Sequence, residues 1–174
     1  MTDLTIRPAI AEDMDDIARL CWAYRDLLCD REAEAGLPAM TDAFYPTDSY
    51  QTLIDDLPKI HARPKGNILL ADVGRTVMGC AMYYPLDPTG VTELKRVYVD
   101  PAARGSGAGR RLIEEAIKYA RADGYTQLVL DTMVPLTEAI ALYNRMGFTP
   151  CAPYYDICAE FQPHLRYFEY PLRG

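Results

Sequence analysis

Apolar residues recur along the chain with two periods, and the switches between them mark the elements. Residues 3–8 alternate as a short strand does. From Asp13 to about Glu34, residues Met14, Ile17, Leu20, Cys21, Tyr24, Leu27 and Leu28 fall at helical spacing, and Gly36 and Pro38 stop that helix. Thr47 and Asp48 offer caps for a second helix over Tyr50–Leu57, with Pro58 near its end. Asn67–Val73 and Thr76–Tyr84 read as strands joined by a tight turn at Gly74-Arg75. Asp87–Gly90 carries turn residues and leads into Val91–Val99, a run rich in β-branched and aromatic side chains. A helix from about Gly107 to Asp123 puts Leu112, Ile113, Ala116, Ile117 and Ala120 on one face, and Gly124 ends it. Thr126–Asp131 is the next strand, Thr137–Met146 a helix stopped at Gly147, and Arg166–Tyr170 a last strand after a stretch broken by Pro150, Pro153 and Pro163. The predicted order, β-α-α-β-β-β-α-β-α-β, is that of an α/β layered domain.

Composition narrows this. At 174 residues the chain suits one domain, 1–174, with a real core. No run of 18 apolar residues is present, so no membrane span is expected. The start, MTDLTIRPA, lacks the pattern of a signal peptide, which points to the cytoplasm. The five cysteines show no metal-ligand spacing; they are expected to be reduced and mostly buried, with no metal site. His61 and His164 sit in no catalytic or ligand pattern. The net charge of −7 argues against nucleic acid as a partner and is compatible with an amine substrate.

The chemistry-bearing stretch is Arg104-Gly105-Ser106-Gly107-Ala108-Gly109-Arg110-Arg111, between a strand and a helix. Glycines let the backbone turn tightly and bring bare N–H groups close to an anion; a helix start adds unpaired N–H groups and the positive end of its dipole. Three arginines without an intervening acid strengthen the case for a pyrophosphate. The spacing is GxGxG, not the GxGxxG of a dinucleotide fold, although Asp131 stands at roughly the distance of a ribose-binding acid. The GxxxxGK[ST] of a Walker A loop is absent.

Arg104-x-x-Gly107-x-Gly109 resembles the [Q/R]-x-x-G-x-[G/A] signature of the GCN5-related N-acetyltransferase (GNAT) superfamily. Leu94–Val99 resembles the family's central strand, and Ala139 to Phe148 its A-x-x-x-Y-x-x-x-G-F helix end. The opening TIRPA is also typical, and the resemblance is strongest from Glu93 to Phe148. It implies a mixed, mostly antiparallel sheet with a splayed parallel pair of strands, flanked by helices. It implies an N-acetyltransferase that moves an acetyl group from acetyl-CoA to an amine by direct attack in a ternary complex. Val97, Tyr98 and Val99 would run along the pantetheine arm, with the backbone of Val97 and Val99 pairing its amides and the Val97 N–H as oxyanion donor. Arg104, Gly105, Ser106, Gly107, Ala108, Gly109 and Arg110 would hold the pyrophosphate, chiefly through backbone N–H groups. Tyr143 matches the acid that protonates the departing thiolate; a phenol is protonated at neutral pH. Glu93, 11 residues before Arg104, matches a general base of the family's histone acetyltransferases, against a reading as an ion-paired glutamate with Lys95.

One position departs from the family. An asparagine that contacts the cofactor in many members is replaced here by Leu136, with Thr132 and Thr137 as substitutes. A non-catalytic acyl-CoA-binding or regulatory module is the alternative reading, and retention of Tyr143 argues against it. The acceptor, a small amine, an amino acid or a peptide, is not legible. Its walls are expected from Cys29–His61 and Cys151–His164, with Tyr45, Tyr50, Tyr83, Tyr84, Tyr154 and Tyr155 as aromatic candidates. A homodimer is common in the family but is signalled by no motif.

Overall fold

The computed structural model describes residues 3–86 and 89–173. The expected turn at Asp87–Gly90 lies partly outside them. The elements are β1 (Leu4–Pro8), α1 (Met14–Ala35), α2 (Met40–Phe44), α3 (Tyr50–Ile60), β2 (Asn67–Val73), β3 (Thr76–Leu86), β4 (Val91–Val99), α4 (Ala108–Ala122), β5 (Gln127–Met133), α5 (Thr137–Arg145), β6 (Thr149–Pro150) and β7 (Leu165–Pro171). They form a seven-stranded sheet in the order β1-β2-β3-β4-β5-β7-β6. Its pairings are antiparallel except for β4 with β5. This is the splayed mixed sheet that the resemblance implied.

The central strands are apolar on both faces because helices cover both. Leu69 and Ala71 of β2 pack toward α4, where Leu112, Ile113 and Ala116 are buried. Ile68 and Leu70, one residue out of phase, pack with Ile17 and Leu20 of α1 and with Ile54 and Leu57 of α3. The α4 stripe read from the sequence is the buried face of that helix. Gly36, at φ +64°, closes α1 and returns N–H groups to its last carbonyls.

Several expectations are corrected. The short helix α2 and the two-residue strand β6 were not foreseen; both are shorter than a periodic signal can mark. The helix at 50–60 begins after Ser49 rather than on a Thr47 or Asp48 cap, and it runs through Pro58. The Thr47 hydroxyl instead accepts from Arg25 at 2.7 Å. Of the five free cysteines, Cys21 and Cys80 are buried, Cys29 and Cys151 are half-buried, and Cys158 is exposed.

Two features of β4 shape the site. Its pairing with β5 spans three residue pairs, Val91 with Gln127 to Glu93 with Val129, and then the strands part. On its other edge the ladder with β3 slips between Cys80 and Met82, so Arg96 and Val97 both lie opposite Ala81. Arg96 takes φ +51°, the one positive φ of a non-glycine among the described residues.

Leu112 is fully buried between α4 and the sheet. Leu112→Ala is expected to lower unfolding free energy by about 2–5 kcal/mol, measured by urea denaturation.

Candidate active site

The strand hands over to the glycine turn through a short capped bend. Asp100 accepts a hydrogen bond from the Ala102 N–H at 2.9 Å and caps the 3-10 turn Pro101–Ala103. Gly105 and Gly107 follow at φ +83° and +85°, and α4 starts at Ala108. A Cβ at either glycine would meet nothing within 4 Å, so it is the left-handed backbone, not crowding, that asks for glycine there. Ser106 turns its hydroxyl to the Ala108 N–H at 3.3 Å. Among the described residues, the N–H groups of Gly105, Gly107, Gly109 and Arg110 find no acceptor in the chain. Four unpaired donors at a helix start make a cradle for an anion.

The arginines divide. Arg110 is held along α4 by Glu114 at 2.7 Å, and Arg111 donates to the Leu4 carbonyl at 2.6 Å. Arg104 is exposed and, among the described residues, makes no ion pair. The charge at the turn therefore comes mainly from the backbone and Arg104.

Beyond Glu93, the β5-facing edge of β4 is unpaired. The Asp100 N–H donates to the Met78 carbonyl, so by alternation Val99 directs its backbone groups away from β3 and into the gap. The bulge sets the faces of this strand. Leu94, Val97 and Val99 lie with the α4 cluster, whereas Tyr98 packs with α1, its ring 6.1 Å from that of Tyr24. Glu93 and Lys95 share one face and are paired at 2.9 Å. In an ideal strand they would share it with Val97 and Val99; the inserted residue puts the two pairs on opposite faces.

The gap opens into a cleft of about 700 Å³, part of it open to solvent. Val97 and Tyr143 both line it, as do Lys95, Arg96, Asp131 and Thr132 from the parting strands. Tyr24, Leu28, Phe44 and Leu136 line it as well. Tyr143 is 6% exposed and packs on Phe148 and Phe168. Burial raises its phenol pKa, and the charge of Asp131 raises it further. The Tyr143 phenol therefore stays protonated at neutral pH.

Glu93 does not line the cleft. It is 2% exposed. Its Oε1 accepts from Tyr154 at 2.7 Å and meets Lys95, and its Oε2 accepts from Tyr84. Lys95 reaches across the split to Asp131 at 2.8 Å, and Asp131 accepts from Tyr155 at 2.8 Å. Burial works against the Lys95 charge, but Asp131 and Glu93 outweigh it and hold the ammonium well above its usual range. The three tyrosine pKa values are pushed up by burial and by these same carboxylates.

A family model for the acetyltransferase (GNAT) family matches residues 22–148. The chain belongs to this family. It is 37% identical over 111 residues to an N-acetyltransferase of Schizosaccharomyces pombe, covering 62% of this chain and 68% of that protein. It is 39% identical over 110 residues to the IAA acetyltransferase of Azospirillum brasilense, covering 63% and 70%. A Salmonella typhimurium acetyltransferase solved with its cofactor acetyl-CoA superposes with a TM-score of 0.69 at 22% identity, over 98% of this chain and 94% of that one.

Within this GNAT fold, several cleft residues had no signal in the sequence. Lys95 was read only as a partner for Glu93, Asp131 only as a ribose candidate, and Tyr24 and Arg96 had no part. Their convergence depends on the split and the bulge, which no spacing rule reports. Among the tyrosines proposed as walls, Tyr45 lines the cleft and Tyr84, Tyr154 and Tyr155 hold its acids. Tyr50 and Tyr83 do neither: both are fully buried, and Tyr83 donates to Asp123 at 2.6 Å. Thr132 lines the cleft beside Leu136, whereas the Thr137 hydroxyl turns to Glu138.

His61, beside Tyr84, is 3% exposed. Burial pushes its imidazole down to about 4, against the hydrogen bond to the Tyr83 carbonyl and with help from the Arg96 charge. An unfolded imidazole titrates near 6.5. Protonation thus favours unfolding: this group's contribution is complete above 6.5 and is lost as pH falls toward 4, by about 3 kcal/mol in all. His61→Asn, which keeps a donor for Tyr83, is expected to flatten the fall in unfolding free energy over that window. Parallel pH profiles from urea denaturation would show that the imidazole is not held neutral.

Proposed function

We propose that residues 1–174 form one acetyltransferase domain that moves an acetyl group from acetyl-CoA to an amine by direct transfer in a ternary complex. Three observations together support this reading. The glycine turn has four unpaired N–H groups, β4 has an unpaired edge beyond Glu93, and Tyr143 lines the same cleft as Val97 of that strand.

The residues fit the cofactor. The cradle at 104–110 takes the pyrophosphate through backbone donors, with Arg104 adding charge. The open edge of β4 pairs with the pantetheine amides as an added strand does, Val99 facing the gap. Acetyl-CoA, when bound, supplies an acyl group activated as a thioester. The chain orients it, and the Val97 N–H beside the bulge stabilises negative charge on the carbonyl oxygen. Tyr143 gives its proton to the departing sulfur, and burial keeps that proton available until then.

Glu93 takes the acceptor's proton through a relay. It does not itself line the cleft, and its oxygens are occupied by Tyr84, Tyr154 and Lys95. Water in the solvent-open part of the cleft carries the amine proton to Tyr154, which accepts it as it passes its own to the carboxylate. Holding both reactants in one cleft supplies much of the acceleration.

Tyr143→Phe is expected to lower kcat about 100-fold or more while acetyl-CoA affinity stays within about twofold. Unchanged turnover would remove Tyr143 as the acid. Gly107→Glu, which forces a side chain onto a left-handed position and sets negative charge at the cradle, is expected to abolish the thermal stabilisation given by acetyl-CoA. Normal binding by a folded Gly107→Glu protein would refute the cradle. Stabilisation by acetyl-CoA without CoA release for any amine would favour a binding module instead, and stabilisation by NAD alone would sink the assignment.

A further inference from the structure

Two arginines are buried among the described residues, and their surroundings differ. Arg25 donates to the Asp42 carboxylate, to Thr47 at 2.7 Å and to the Tyr45 carbonyl at 2.8 Å. Arg96 is 7% exposed and, among the described residues, has no carboxylate within ion-pair reach. Its Nε is buried without a hydrogen-bond partner. Its Cζ sits 5.1 Å from the centre of the Tyr45 ring. Of the groups near enough to feel its charge, the Tyr50 hydroxyl, which is also a hydrogen-bond partner, the Cys21 thiol with its pKa pushed up to about 11 by burial, and the His61 imidazole are uncharged at neutral pH.

A buried guanidinium without an anion is costly, because an aromatic face and a neutral hydroxyl offset only part of its desolvation. The backbone adds to that cost: Arg96 occupies a left-handed conformation on a strand, at the bulge, and this conformation brings its side chain to the face shared by Lys95. The nearby acids do not serve it, since Glu93 and Asp131 are engaged with Lys95 and three tyrosine hydroxyls. Yet Arg96 lines the cleft, next in sequence to Val97. The cleft is thus the route by which an anion could reach it.

We infer that Arg96 receives a carboxylate of the acceptor, so that the acceptor is a free amino acid rather than a simple amine or a peptide N-terminus. The inference rests on the acetyl-transfer reading above. A guanidinium matches a carboxylate in geometry and charge. Tyr24, Leu28 and Phe44 offer the amino acid's side chain an apolar wall. The neighbouring Val97 keeps the acceptor's nitrogen, one carbon from the carboxylate, close to the transferred acyl group.

The test is a panel of the standard L-amino acids assayed beside their carboxamides, with CoA release as readout. For at least one amino acid, kcat/KM is expected to exceed that of its carboxamide by about tenfold or more. The amide's amine is the weaker base and more of it is unprotonated at about pH 8, so nucleophile supply favours the amide and cannot produce this preference. Arg96→Met is expected to erase the preference while acetyl-CoA affinity is kept, and Arg96→Lys to restore part of it. Carboxamides matching acids in the wild-type protein, or a preference that survives Arg96→Met, would overturn the assignment. Absence of acetyl-CoA binding and of CoA release marks failure of the parent reading. Calorimetric titration of the wild-type protein with the same acids and amides then still decides the role of Arg96: selective binding of the acids upholds it, and equal or no binding overturns it.

Discussion

β4 and β5 leave each other after Glu93, and almost everything distinctive in this molecule is arranged around that parting. A parallel pair in the middle of a sheet normally continues, because each unpaired N–H or carbonyl away from water costs free energy. Here three residue pairs form and then the ladder stops, with the rest of β4 still bonded to β3. Tyr143 of α5 lines the gap and packs on Phe148 and Phe168, and Lys95 bridges it, its ammonium contacting a carboxylate from each strand. Extended backbone left without a partner is a template for another extended chain, and in the proposed function that chain is the pantetheine arm.

The charges near the gap follow one local economy of space. One lysine lies between two acids, and three tyrosine hydroxyls accompany those acids. Such a cluster is stable only as a whole, since removal of a member leaves an uncompensated charge in a poorly solvated place. Arg96 is next to this cluster in sequence but not part of it. The bulge separates them: it turns two consecutive basic side chains onto the same face, and the acids are already engaged with the first. One inserted residue thereby produces both a satisfied network and an unsatisfied cation on the wall of the same cleft.

The fold was legible in the sequence where a repeating pattern is long. The 22-residue helix α1, the α4 stripe and the apolar strands β2 to β4 each carry many positions of one period, and burial on one or both faces is what that period encodes. Elements held by a few tertiary contacts were not legible. The five residues of α2 and the two of β6 contain no full period. The cysteines show the same limit: composition names them, but only packing decides that Cys21 is in the core and Cys158 on the surface.

The sequence by itself determined the glycine turn at 104–110. Left-handed backbone at Gly105 and Gly107 and a helix start at Ala108 are local matters, and local residues dictate them. It also determined the order of motifs from Glu93 to Phe148, and with it the family. Tertiary structure alone decided which side chains meet in the cleft. Lys95 and Asp131 are 36 residues apart, and Glu93 and Tyr154 are 61 apart. Their contact requires β5 to lie beside β4 and then leave it. Tertiary structure also decided that Glu93 is enclosed rather than presented, and that Arg96 faces the cleft without an acid. Period-two alternation would have set Glu93 and Arg96 on opposite faces of β4, whereas the bulge leaves them on one. A single bulged residue reverses that alternation, and the chain carries no repeat that announces it.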